Sequence, residues 1–159
     1  MPALLAEVGN AYSKILQELH FDCVAVLPYA ALPIGTAVSL QNGWPLIYPR
    51  KEAKAYGTRA EIEGIYQAGQ RAVVIDDLAT TGESKFEAID KLKAAGLIVE
   101  DVVVLIDRQS GAAESLAGAG YRLHAVFTLT DLLDYYEAHQ SISIERINET
   151  RVFLKLSIS

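Results

Sequence analysis

The sequence predicts an α/β domain: a mostly parallel sheet of about five strands with helices on both faces. Three observations point to it. Short apolar runs without polar alternation, such as Ala72-Val73-Val74-Ile75 and Val102-Val103-Val104-Leu105-Ile106, read as strands buried on both sides. Segments with apolar residues at three- and four-residue spacing alternate with these runs, as crossover helices must. The chain has 159 residues, 51 % of them apolar and 21 % charged, which suits one domain, 1–159, with a core of its own.

The elements follow in order. Leu4, Leu5, Val8, Tyr12, Ile15, Leu16 and Leu19 fall on one helical stripe, and Pro2 suits the first turn. Cys23 to Leu27 is the first strand. A helix is expected over Ile34 to Leu40, stopped at Asn42-Gly43. Pro45 to Tyr48 is the second strand. Residues 50–64 break the pattern. Ala72 to Ile75 is the third strand, expected to be cut off by Asp76-Asp77. Glu83 to Ala95 is a helix stopped by Gly96. Val102 to Ile106 is the fourth strand, Ala112 to Ala119 a short helix before Gly120, and Leu123 to Phe127 the fifth strand. Thr128 and Asp131 form a capping box for a helix continuing to His139, and Ile142 to Leu154 forms one more helix.

Composition excludes several functions. Fourteen Lys and Arg against twenty Asp and Glu give a net charge of −6, which disfavours nucleic-acid and anionic-membrane partners. The single cysteine, Cys23, permits no intrachain disulfide and no Cys-x-x-Cys metal knuckle. The amino terminus has no basic signal-peptide region, and no apolar run reaches the about 18–20 residues of a membrane helix. A soluble, cytoplasmic chain is expected.

In parallel sheets ligands bind beyond the carboxyl ends of the strands. The strongest signal stands there: Val73-Val74-Ile75-Asp76-Asp77-Leu78-Ala79-Thr80-Thr81-Gly82-Glu83-Ser84. Two carboxylates are expected to emerge at the sheet edge, outside the apolar core. A Thr-Thr-Gly turn then opens into a helix, whose exposed amides and dipole cradle an anion. Hydroxyls of Thr80, Thr81 and Ser84 add donors, and Gly82 lets the backbone approach an oxyanion. Two acids beside a phosphate cradle suit a sugar diol, or a sugar with Mg²⁺. Ordinary turn and cap chemistry is the competing explanation, but it does not call for the whole run. Upstream, Arg50 to Arg59 carries four basic residues. Such a segment can neutralise a departing polyanion, or it can be a solvated surface loop.

The block resembles the phosphoribosyl-pyrophosphate signature of the type I phosphoribosyltransferases. Val26-Leu27-Pro28-Tyr29-Ala30-Ala31-Leu32-Pro33-Ile34, Pro49-Arg50-Lys51-Glu52-Ala53-Lys54-Ala55-Tyr56-Gly57, Asp107-Arg108-Gln109 and Tyr121 to Leu129 extend the likeness. In order and spacing they resemble orotate phosphoribosyltransferase, with a flavour nearest the domain of eukaryotic-type uridine monophosphate synthases. The resemblance implies the type I phosphoribosyltransferase fold. It implies transfer of phosphoribosyl from phosphoribosyl pyrophosphate to orotate, giving orotidine 5′-monophosphate in de novo pyrimidine biosynthesis. It also implies roles. Asp76 and Asp77 hold the ribose hydroxyls. Ala79, Thr80, Thr81, Gly82 and Ser84 wrap the 5′-phosphate. Leu27, Pro28, Tyr29, Ala30 and Ala31 form the pyrophosphate-facing loop. Arg50, Lys51 and Lys54 lie on or beside a catalytic loop that reaches the neighbouring subunit of a homodimer, and Asp77 joins them as a catalytic residue. Arg108, with Thr80, contacts orotate. Mg²⁺ arrives on phosphoribosyl pyrophosphate, with no direct protein ligand.

The chain also departs from that pattern. It begins at the family's first core helix, so the amino-terminal hood over the base, with its Lys-Ser-Gly stretch, is expected to be absent. Gln109-Ser110-Gly111-Ala112 replaces the usual Glu-Gln-Gly-Gly, and Tyr56 stands where many members carry His. Two further readings therefore stay open: a non-catalytic module binding phosphoribosyl pyrophosphate or a nucleotide, and transfer to another base. His20, His124 and His139 show no ligand spacing, and His124 is expected to be a satisfied histidine in a buried strand. Cys23 and Trp44 read as packing residues.

Overall fold

The computed structural model describes residues 2–51 and 61–157. Strands and helices alternate as expected: α1 (Pro2–Leu16), β1 (Cys23–Val26), α2 (Ala31–Asn42), β2 (Leu46–Pro49), β3 (Ile62–Glu63), β4 (Ala72–Ala79), α3 (Glu83–Ala94), β5 (Asp101–Asp107), α4 (Ala112–Gly118), β6 (Arg122–Thr128), α5 (Leu129–Ala138) and α6 (Ile144–Ser157). The sheet runs β3-β2-β1-β4-β5-β6. Its pairings are parallel except β2 with the short edge strand β3. Two residues are too few to show a period, so β3 leaves no mark in the sequence.

The apolar strands face helices on both sides. Val24, Val26, Val73, Ile75 and Val103 pack with Tyr12 and Leu16 of α1 and Ala31 and Val38 of α2. Cys23, Ala25, Val74, Val102 and Val104 pack with Ile89 and Leu92 of α3 and Leu116 of α4. This two-sided burial is why the strands read as unbroken apolar runs. Gly35 lets α2 lie close on β1, because a Cβ there would collide with the Val26 side chain. Leu133 of α5 packs with Ile147 and Leu154 of α6 in a smaller cluster.

Three readings need adjustment. Strand β4 does not stop at Ile75 but runs through both acids to Ala79. The neighbouring strand supplies the ladder, pairing Asp76 with Val104, Leu78 with Ile106 and Ala79 with Asp107. Helix α2 starts at Ala31, three residues before the expected Ile34. His124 lies in the edge strand β6, which is only half-buried, and its Nε2 stands 2.8 Å from Asp101 Oδ1. The Thr128–Asp131 capping box is present in both directions. Cys23 is buried, and Trp44 packs edge-to-face on Phe21 at 5.0 Å.

The topology also creates the crevice. From β1 the chain passes through α2 to β2 on one side, and from β4 through α3 to β5 on the other. The connections diverge beyond the carboxyl ends of two adjacent strands, which is where such sheets bind ligands.

Candidate functional site

The turn after β4 is built as the residue pattern requires. Ala79 and Gly82 are buried, Thr80 is half-buried, and Thr81 and Ser84 are exposed. Gly82 is the N-cap of α3 with φ 93°, and no side chain caps that helix. The first amides of a helix have no partner within it. Here no side chain caps those of Glu83 and Ser84, while the Lys85 amide donates to the Gly82 carbonyl at 2.9 Å, and such an uncapped helix start suits an oxyanion. The amide of Arg108 donates to the Ala79 carbonyl at 3.0 Å, placing the exposed Arg108 beside the same turn. The loop after Arg108 is fastened. Gln109 donates its amide to Asp107 Oδ1 at 2.8 Å, and its Oε1 accepts from Thr130 N and Oγ1 at 3.0 and 2.6 Å.

The two acids are not equivalent, against the expectation that both emerge outside the core. Asp76 is 8 % exposed. Its Oδ2 lies 2.6 Å from Lys85 Nζ, and its Oδ1 accepts from the Asp77 amide at 2.9 Å. Burial pushes the Asp76 carboxyl up from its ordinary value, and the hydrogen bond and charge of Lys85 oppose that shift. Asp77 is half-buried and forms no ion pair among the described residues. From the opposite face Tyr12, fully buried, donates to the Asp76 carbonyl at 2.6 Å. Burial, reinforced by the Asp76 and Asp77 charges, holds the Tyr12 hydroxyl far above its ordinary value. Sequence reasoning missed both Lys85 and Tyr12 as site residues. The signal for Lys85 was available: it sits on the stripe of α3 otherwise filled by Ala88, Ile89 and Leu92, where an apolar side chain belongs.

The basic segment meets the crevice at its first residues. A cleft there is lined by Leu27, Pro28, Arg50, Lys51, Ser84 and Lys91. It joins the loop after β1, the start of the basic segment and the first turn of α3. Tyr29 and Ala30 are exposed on the β1 loop, and Lys51 Nζ stands 5.6 Å from the Tyr29 ring centroid, a cation–π contact. Arg50 pairs instead with Glu63 of β3. Lys91 of α3 donates to the Arg50 carbonyl at 2.9 Å, tying the base of the segment to the helix. Lys54 lies outside the described residues. Asp76, Asp77, Thr80 and Arg108 do not line this cleft; they stand on the β4–β5 side of the crevice.

Among the described residues, no group of three or more His, Cys, Asp or Glu is placed to hold a metal ion. No described helix is long and apolar enough to cross a membrane.

Comparison with known proteins follows the same lines. No family model matches the chain. The bifunctional enzyme PyrF/PyrE of Nostoc is 42 % identical over 156 residues, 98 % of this chain and 31 % of that protein. The orotate phosphoribosyltransferase of Natronomonas pharaonis is 36 % identical over 132 residues, 83 % of this chain and 75 % of that protein. Among solved structures, Leishmania donovani UMP synthase superposes with a TM-score of 0.91 at 46 % identity, over 98 % of this chain and 34 % of that one. Mycobacterium tuberculosis orotate phosphoribosyltransferase in complex with phosphoribosyl pyrophosphate gives 0.68 at 29 % identity, over 80 % of this chain and 75 % of that one. The chain thus spans about a third of the length of the Nostoc PyrF/PyrE protein and of the Leishmania donovani UMP synthase. At the identity and coverage it shares with the Natronomonas enzyme, the chain belongs to the orotate phosphoribosyltransferase family.

Proposed function

We propose that this chain transfers phosphoribosyl from phosphoribosyl pyrophosphate to orotate, giving orotidine 5′-monophosphate and pyrophosphate, a step of pyrimidine biosynthesis. One observation carries the reading: an uncapped helix start after a Thr-Thr-Gly turn, with two carboxylates in the last half of the strand before it and Arg108 beside it. The 5′-phosphate would lie against the amides and hydroxyls of Thr80, Thr81, Gly82 and Ser84. Asp76 and Asp77 would accept from the ribose hydroxyls. Arg108 would meet the orotate carboxylate, a charge-assisted contact. Lys51 and Lys54 would offset charge on the departing pyrophosphate, with Arg50 clamping the base of their segment through Glu63. Mg²⁺, carried in on the pyrophosphate oxygens, would supply further charge neutralisation. The chemistry needs no protein nucleophile, because the bond from the anomeric carbon to pyrophosphate loosens before orotate attacks.

The test follows orotate absorbance with purified chain, Mg²⁺ and phosphoribosyl pyrophosphate. Turnover that requires all three is expected. No turnover would refute the catalytic reading, and calorimetric binding without turnover would assign a binding module. The family resemblance further supports a homodimer with a shared site and a cytoplasmic location. Sedimentation at micromolar concentration checks the dimer, and a monomer with full activity would refute the shared site.

A further inference from the structure

We infer that Lys85 is a positioning residue for the sugar-binding acid pair: it holds Asp76 as an inward-anchored carboxylate, so that Asp76 and Asp77 present an ordered acceptor edge to the ribose. The inference rests on the proposed function, in which this pair meets the sugar.

The geometry has three parts. Lys85 is 3 % exposed, so its cation has left water almost completely. Its Nζ donates to Asp76 Oδ2 at 2.6 Å, to the Leu78 carbonyl, and to Ser84 Oγ at 3.3 Å. Those acceptors lie on β4, on the strand just past the acids, and on the first turn of α3. One ammonium therefore ties together the acid pair and the phosphate turn. Nothing local favours a lysine there. It sits in the first turn of α3, where the helix dipole disfavours a cation, and on a stripe otherwise apolar. The Asp76 carboxylate explains it.

The electrostatics agree with a positioning role. A buried carboxyl without a cation takes up a proton, and it then donates where the sugar also needs to donate. The groups facing Asp76 are Lys85 from α3, Asp77 on its own strand and Tyr12 from α1. Among these only Lys85 carries positive charge. Its loss would leave Asp76 beside the Asp77 charge, with only the Asp77 amide favouring the ionised form.

Calorimetry of the full chain with phosphoribosyl pyrophosphate and Mg²⁺, from about pH 6 to about pH 9, tests this for wild type, Lys85→Met and Lys85→Arg. Losing one charge-assisted hydrogen bond predicts affinity for Lys85→Met roughly tenfold or more below wild type at neutral pH. That affinity should recover as pH rises and Asp76 ionises, while wild type stays level. Lys85→Arg should restore most of the affinity. Wild-type affinity and a level profile in a folded Lys85→Met would overturn the inference. Should Lys85→Met not fold, Lys85→Gln, which keeps Asp76 and a polar side chain, replaces it. Affinity about tenfold down at neutral pH that recovers as pH rises supports the inference, and wild-type affinity with a level profile overturns it. A wild-type chain that binds no phosphoribosyl pyrophosphate is a separate result: it refutes the functional reading itself, and this inference falls with it.

Discussion

Asp76→Asn is expected to unsettle the fold, although it changes only one atom at what a sequence reading takes for a surface site. The magnitude follows from the pair it breaks. The side chains of Lys85 and Asp76 are 4 % and 11 % exposed, and they meet at 2.6 Å. Removing one partner of a buried ion pair costs about 3–5 kcal/mol, because the remaining charge is left uncompensated. The lower end, about 3 kcal/mol, applies here, since Lys85 Nζ keeps the Leu78 carbonyl and Ser84 Oγ as acceptors. Asp76 accepts on both oxygens, from Lys85 and from the Asp77 amide. An Asn side chain keeps one acceptor oxygen for the Asp77 amide, so the broken pair is the whole loss. At about 2–4 °C per kcal/mol for a chain of this size, Tm should fall by roughly 6–12 °C. Asp77→Asn is the internal control. Asp77 is half-buried and has no cation among the described residues, so its change should stay within about 1 kcal/mol. Differential scanning calorimetry of the two variants decides the matter. A Tm for Asp76→Asn within about 3 °C of wild type would refute the buried pair.

Other outcomes follow from the same structure. Gly82→Ala should cost about 1–2 kcal/mol in urea denaturation, because φ 93° strains any residue with a Cβ. The Cβ itself would come no closer than 3.5 Å to Phe86, so the cost is backbone strain rather than a clash. Tyr12→Phe removes a buried donor to the Asp76 carbonyl and should cost about 1–3 kcal/mol by the same measurement. Arg122 and His124 hold the Asp101 carboxyl below its ordinary value of 3.8. A lowered acid contributes stability that is present above its unfolded value and lost as pH falls through the folded one. Stability should therefore drop below about pH 4, and Asp101→Asn should flatten that acid limb; an unchanged limb in chemical denaturation at several pH values would argue against the Asp101 network.

Local pattern was enough for the sheet-and-helix alternation. Residues such as Val73 to Ile75 are apolar on both sides, and that alone marks a strand covered by two layers. The phosphate turn was equally legible. Thr80, Thr81, Gly82 and Ser84 are adjacent in the chain, so one short run holds both the positive-φ residue and the donors. The capping box at Thr128 and Asp131 is local for the same reason. What the sequence could not reveal depends on residues that meet only after folding. The length of β4 was set by its neighbour β5, whose ladder carries the strand past two acids that by themselves signal a turn. Arg50 found Glu63 only because β3 turns back along β2. The acid pair was visible, but its asymmetry was not. Whether a carboxylate is buried depends on which helix lies over it, and α3 reaches Asp76 with a lysine while α1 reaches its carbonyl with Tyr12, sixty-four residues away. Burial and charge pairing are sums over neighbours in space, so only the tertiary structure could decide them.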